Sequence, residues 1–190
     1  MTQATNQYLA ATAWIVLILA ASVAALIDVR CRRIPNKLSF NLLLAGLIAS
    51  ALAGGWGSLG QSLLAALIAG APFIALFVVG GGGAGDAKMM LAVGAWLSPW
   101  HAMIAVLAVA IAGGLLSLVY AKAHQRLLMA LANTAWMFLT LPFIVAGPGR
   151  LQERQRLMPA SADGPLKTPY SLAILGGVLT ASIWIWIHAR

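Results

Sequence analysis

The sequence predicts an all-α, polytopic integral membrane protein, and three observations predict it. Hydrophobic residues make up 62% of the 190-residue chain and charged residues only 8%, against about 25% charge in an ordinary soluble domain. Apolar windows long enough to cross roughly 30 Å of hydrocarbon recur along the whole length. Basic residues gather between those windows rather than inside them. The expected architecture is about six transmembrane helices plus one interfacial or re-entrant helix, in a single membrane-embedded domain over 1–190 with no separate soluble domain.

The first apolar run, about Leu9–Ile27, has no basic residue ahead of it and is longer than the core of a cleaved signal. It reads as a retained span. It leads into Asp28, Arg30, Arg32, Arg33 and Lys37, a cluster that the positive-inside rule assigns to the cytoplasm. Pro35 breaks the chain, and a second span follows over about Leu38–Leu52. Gly54-Gly55-Trp56-Gly57-Ser58 is an uncharged turn, and a third span, about Gln61–Val79, completes a hairpin. Counting spans therefore puts Asp28 and Asp86 at the same membrane face.

A short fourth span, about Lys88–Leu97, turns at Ser98-Pro99-Trp100-His101 into a fifth, about Ala102–Tyr120. Lys122, His124 and Arg126 then mark the cytoplasmic side again. Leu127–Ala146 is long enough to cross, but crossing would send Arg150, Arg154, Arg156 and Lys167 outside. An interfacial or re-entrant course broken at Pro142 keeps all but Arg190 of the 12 basic residues in the cytoplasm. It also places Trp56, Trp96, Trp100, Trp184 and Trp186 near the outer interface, as an aromatic belt. Ser171–Ile187 is the final span.

The net charge of +8 fits lysine and arginine facing anionic membrane lipid. Nucleic acid is not an expected partner, because no basic run accompanies a soluble binding module. Cys31 stands alone, so no internal disulfide and no multi-cysteine zinc site can form.

Acid is the scarce commodity in this chain: Asp28, Asp86, Glu153 and Asp163 are the four carboxylates. A charged side chain at the bilayer centre costs about 2.5–3.5 kcal/mol on insertion scales, and less near the interface. Asp28 ends the first apolar run, and Asp86 sits in Gly80-Gly81-Gly82-Gly83-Ala84-Gly85-Asp86-Ala87-Lys88 between two others. Two carboxylates at one face can activate water between them. Close together they cannot both ionise cheaply, so the pair holds one proton over a useful pH range. The ionised member takes a proton from water and the protonated member donates to a carbonyl oxygen.

Plainer roles exist for the same residues. Asp28 could pair with Arg30 or Arg32, and Asp86 could pair with Lys88 or cap the fourth span. Lys88 reads as a snorkelling anchor before it reads as a base. Gly80, Gly82 and Gly85 satisfy G-x-G-x-x-G, but no soluble strand–turn–helix surrounds them, and a phosphate loop would need lysine where Asp86 stands. His101, His124 and His188 lack zinc-protease spacing, and no serine lies in a G-x-S-x-G setting. A proton-coupled carrier could use the aspartates as a relay, yet no second glycine-rich aspartate segment suggests the repeat that carriers often show. A non-catalytic membrane subunit of a pilus or secretion machine is the other alternative.

Asp28-Val29-Arg30-Cys31-Arg32-Arg33-Ile34-Pro35-Asn36-Lys37-Leu38 resembles the D-x-R-x-x-x-I-P-N-x-L stretch of type IV prepilin leader peptidases. Gly83-Ala84-Gly85-Asp86-Ala87-Lys88 resembles their G-x-G-D-x-K stretch, and Pro169-Tyr170-Ser171-Leu172-Ala173-Ile174 their P-Y-x-x-A-I entry into the last span. The G-x-G-D element alone is shared with presenilin-like proteases, whereas the two motifs together are specific. The resemblance implies an integral-membrane aspartic endopeptidase of the bacterial inner membrane, cutting a short basic leader from pilin-like precursors at the cytoplasmic face. It implies Asp28 and Asp86 as the catalytic pair, with Gly83, Gly85, Lys88, Pro35 and Asn36 shaping the site, and no cofactor or metal. The cysteine-rich segment of the bifunctional, N-methylating members is missing, so methyltransferase activity is not expected. The short form is similar to the peptidases of tight-adherence (Flp-type) pilus systems.

Overall fold

The computed structural model describes residues 3–31, 34–78, 83–123 and 170–188. Those residues form α1 (Gln3–Cys31), α2 (Asn36–Val78), α3 (Ala84–Ala95), α4 (Pro99–Ala123) and α5 (Tyr170–His188). No strand occurs among them. The protein is all-α, and four of these helices are long and apolar enough to cross a membrane. A chain with several such helices is a multi-pass membrane protein, because only self-satisfied backbone can cross lipid.

The expected tally of six crossings is not what these helices return directly. α2 runs for 43 residues, about 65 Å at 1.5 Å per residue and far more than one bilayer. Its helical geometry breaks at Gly54 and Gly55 alone. Gly55 has φ +66°, a left-handed conformation open to glycine at little cost. The expected turn is therefore confined to two residues, with helix resuming at Trp56. Across the break the Ser50 hydroxyl lies 2.8 Å from the Ser58 carbonyl and 2.9 Å from its hydroxyl. At the other extreme, α3 is only 12 residues long, about 18 Å, and falls below the length of a full span. The segment Leu127–Ala146 lies outside the described residues.

The register of α3 against α2 shows how the chain doubles back. Lys88 of α3 and its C-cap residue Trp96 meet Asn36, Leu42 and Gly46 in the first half of α2, in parallel order. Leu91, Gly94 and Ala95 meet Gly70, Ala65 and Ser62 of the second half, in antiparallel order. One helix cannot be parallel to both halves of a straight rod, so α2 is a hairpin with α3 cradled in it. The starts of α2 and α3 consequently lie level, at one end of the bundle.

Small residues make this cradle possible. Transmembrane helices gain no hydrophobic attraction from lipid, so close backbone approach through Gly, Ala and Ser carries their packing. The Ser62 hydroxyl donates to the Ala95 carbonyl at 2.6 Å, and the Trp96 indole N–H donates to the Leu42 carbonyl at 2.8 Å. A Cβ on Gly94 would stand 2.5 Å from the Ala65 carbonyl oxygen and 2.7 Å from the Ala66 Cα. Backbone cannot step aside as a side chain can. Gly94→Val should therefore lower stability by about 1–3 kcal/mol or more, read as a lower melting temperature in detergent. Gly114→Ala is the control, since nothing lies within 4 Å of that site, and it should leave melting unchanged or slightly raised.

α5 closes the bundle against α1 and α4. Gly177 lies against Val109, and Gly113 receives the Tyr170 hydroxyl, so α4 and α5 run antiparallel. The packed interior includes Leu17, Ala21, Ala24, Met89, Met90, Val93, Val109, Ile174 and Val178. Outward faces carry Ile15, Leu19, Val23 and Leu26 on α1, and Leu107, Ile111 and Leu115 on α4, the apolar exterior that lipid requires.

Candidate active site

The site assembles at the end of the bundle where α1 finishes and α2, α3 and α5 begin. α1 continues past the expected limit at Ile27 and carries Asp28 on its last turn, half-buried. Helix α2 then starts at Asn36 because the Pro35 carbonyl accepts the N–H groups of Leu38 and Ser39, at 3.1 and 3.4 Å. Proline thus stops one helix and opens the next.

Asp86 enters from α3. Gly83 is the N-cap residue in extended geometry, and its carbonyl accepts the Ala87 N–H at 3.3 Å. Asp86 is the third helical residue, so the expected capping role is corrected in one respect: it reaches back rather than standing at the cap. Its carboxylate accepts the Gly83 N–H, as the acidic member of a capping box does. A side chain on Gly83 would press on that carboxylate, its Cβ 2.8 Å from Oδ2.

The two sequence motifs dock on one another. Gly85 faces Ile34, whose Cβ would lie 3.2 Å from any Cβ placed on residue 85. One turn along, Lys88 donates from Nζ to Oδ1 of Asn36 at 3.1 Å. Lys88 is therefore tied to the start of α2. Of the expected site-shaping residues, Gly83 lies against the Asp86 carboxylate, Gly85 against Ile34, and Lys88 against Asn36, which follows Pro35. The glycines at 80–82 and the arginines at 32 and 33 lie outside the described residues.

Asp86 lies within electrostatic reach of Asp28. Burial first, and then the charge of Asp28, push the Asp86 carboxyl up from 3.8 to about 6, against the lowering effect of the Gly83 N–H. A carboxyl raised in this way holds a proton well above the usual acid range while a second carboxylate stands by. That is the electrostatic arrangement for acid–base work on water.

Sequence reasoning missed one residue of the site. Ser171, buried on the first turn of α5, donates its hydroxyl to Oδ2 of Asp28 at 2.6 Å. The partners are 143 positions apart, so local spacing could not reveal the contact. A weak signal existed: a serine beside the tyrosine at the entry to an apolar span. Beside it, Tyr170 places its hydroxyl in the notch left by Gly113 and lies within electrostatic reach of Asp86.

No group of three His, Cys, Asp or Glu is gathered among the described residues. His101 at the start of α4 and His188 at the end of α5 stand away from the aspartate end.

A family model of type IV leader peptidases matches residues 15–118. That is more than half of the chain, and it takes in both aspartates and both docked motifs. The chain belongs to the type IV leader peptidase family. The leader-peptidase match stops before Tyr170 and Ser171, so the contact from α5 comes from the structure alone. No curated protein and no solved structure matches the chain.

Proposed function

We propose that this chain is an aspartic endopeptidase of the bacterial inner membrane that removes the short basic leader from pilin-like precursors at the cytoplasmic face. The observation that carries the reading is the pairing of Asp28 and Asp86 at one end of the bundle, inside the segment that matches the leader-peptidase family. The six crossings expected from the sequence belong to this reading, with the short stretch from about Lys88 to Leu97, held inside the α2 hairpin, as the fourth.

In the reaction, the ionised Asp28 takes a proton from a water held between the carboxylates. The hydroxide so formed attacks the scissile carbonyl, and Asp86 gives its proton to the carbonyl oxygen. On collapse of the tetrahedral species, Asp28 passes its proton to the leaving nitrogen and the diol returns one to Asp86, so the amine departs and both carboxyls regain their starting states. No covalent enzyme intermediate is needed. The precursor is recognised by its apolar helix among the spans and by its basic leader near anionic lipid and the two carboxylates. N-methylation is not part of the proposal.

Co-expression with a pilin-like precursor tests it. The precursor should shorten on a gel when the wild-type chain is present and keep its length when the chain is absent. A set of such precursors left intact would put a carrier or a non-catalytic subunit ahead.

A further inference from the structure

The end of α5 nearest the aspartates carries a side chain whose role the leader-peptidase match leaves open. We infer that Ser171 is a positioning residue of the aspartate pair: its hydroxyl, donated to Oδ2 of Asp28, fixes the carboxylate plane and leaves Oδ1 to work on the water. The inference rests on the peptidase reading of the two aspartates and adds a third member to their assembly.

Three features support a working part rather than an incidental contact. The bond is short at 2.6 Å, and Ser171 is only 1% exposed. Its hydroxyl is spent on a carboxylate of another helix rather than on its own backbone. By contrast Ser117, Thr180 and Ser182 donate to carbonyls three or four residues back. The platform beneath it is also held in place. Tyr170 occupies the Gly113 notch, Ala173 and Ile174 are buried one turn further along the same face, and Gly177 rests against Val109 beyond them.

A carboxylate at the end of a helix can rotate about its Cβ–Cγ bond. Held by Ser171, Oδ2 becomes a fixed acceptor, and the general base presents one defined oxygen. Losing that hold misplaces the base without removing it, so turnover suffers while precursor docking does not.

The experiment uses the purified full-length chain in lipid vesicles with a purified pilin-like precursor, and measures kcat and KM separately. Ser171→Ala should lower kcat roughly 10–100-fold, the loss expected for one hydrogen bond to a charged group, with KM within about twofold. Ser171→Thr and Ser171→Val share an added methyl and differ in the hydroxyl. The threonine variant should exceed the valine variant in kcat at least about tenfold, even if both melt lower than wild type. Wild-type kcat in Ser171→Ala, or equal loss in the threonine and valine variants, would overturn the role of Ser171 and leave the peptidase reading intact. A wild-type chain that leaves the precursor uncut overturns the peptidase reading and this inference with it.

Discussion

Asp28→Asn and Asp86→Asn should each lower precursor cleavage roughly 10²–10⁴-fold, the range for loss of a general acid or base, while accumulating in the membrane as wild type does. The second half of that expectation comes from the hydrogen bonds. An asparagine at 28 still offers an oxygen to the Ser171 hydroxyl, and one at 86 still offers an oxygen to the Gly83 N–H. What asparagine cannot do is accept or release the catalytic proton. Cleavage measured against membrane level by immunoblot separates the two effects. Either variant cutting near the wild-type rate would remove that aspartate from the chemistry.

The second large effect is on pH. As the proposed acid, Asp86 must be protonated to donate, and its carboxyl is raised to about 6. Above that value the competent fraction falls about tenfold per pH unit, so kcat/KM should decline along an alkaline limb starting near pH 6. Substrate binding strips more water from the carboxyl, which favours its neutral form. The alkaline limb of kcat should therefore lie above that of kcat/KM. A kcat/KM profile flat from pH 6 to pH 8.5 would contradict the assignment of Asp86 as the acid.

The same shift has a stability consequence of opposite tone. The folded-state value of about 6 exceeds the ordinary 3.8, so between those values the folded chain binds more protons than the unfolded one. Stability is therefore fully present below about pH 4 and is lost as pH rises through about 6. Asp86→Asn has no such proton to lose, and its melting temperature should fall less than wild type's across that window.

Much of this arrangement was legible in the sequence, for physical reasons that differ between elements. Composition alone fixed the solvent, and the solvent dictates helices. The shared face of Asp28 and Asp86 followed from the hairpin between them, and the level starts of α2 and α3 agree with it. Helix ends were harder. The apolar pattern starts the fourth span at about Lys88, whereas the helix starts at Ala84 because Gly83 caps it and Asp86 closes the box. The sequence suggests a five-residue turn in α2, yet one positive-φ glycine with its neighbour suffices. Ser171 was out of reach, since its significance lies in an acceptor on a helix 143 residues away.

The central claim is that this chain itself hydrolyses a peptide bond using two aspartates. The most direct measurement is the intact mass of a purified pilin-like precursor after incubation with the purified chain in lipid vesicles, alongside Asp86→Asn. The account predicts one product pair with wild type, cut after the glycine that precedes the apolar segment, and uncut precursor with Asp86→Asn. Precursor left whole by wild type, or cut equally by both, would contradict it.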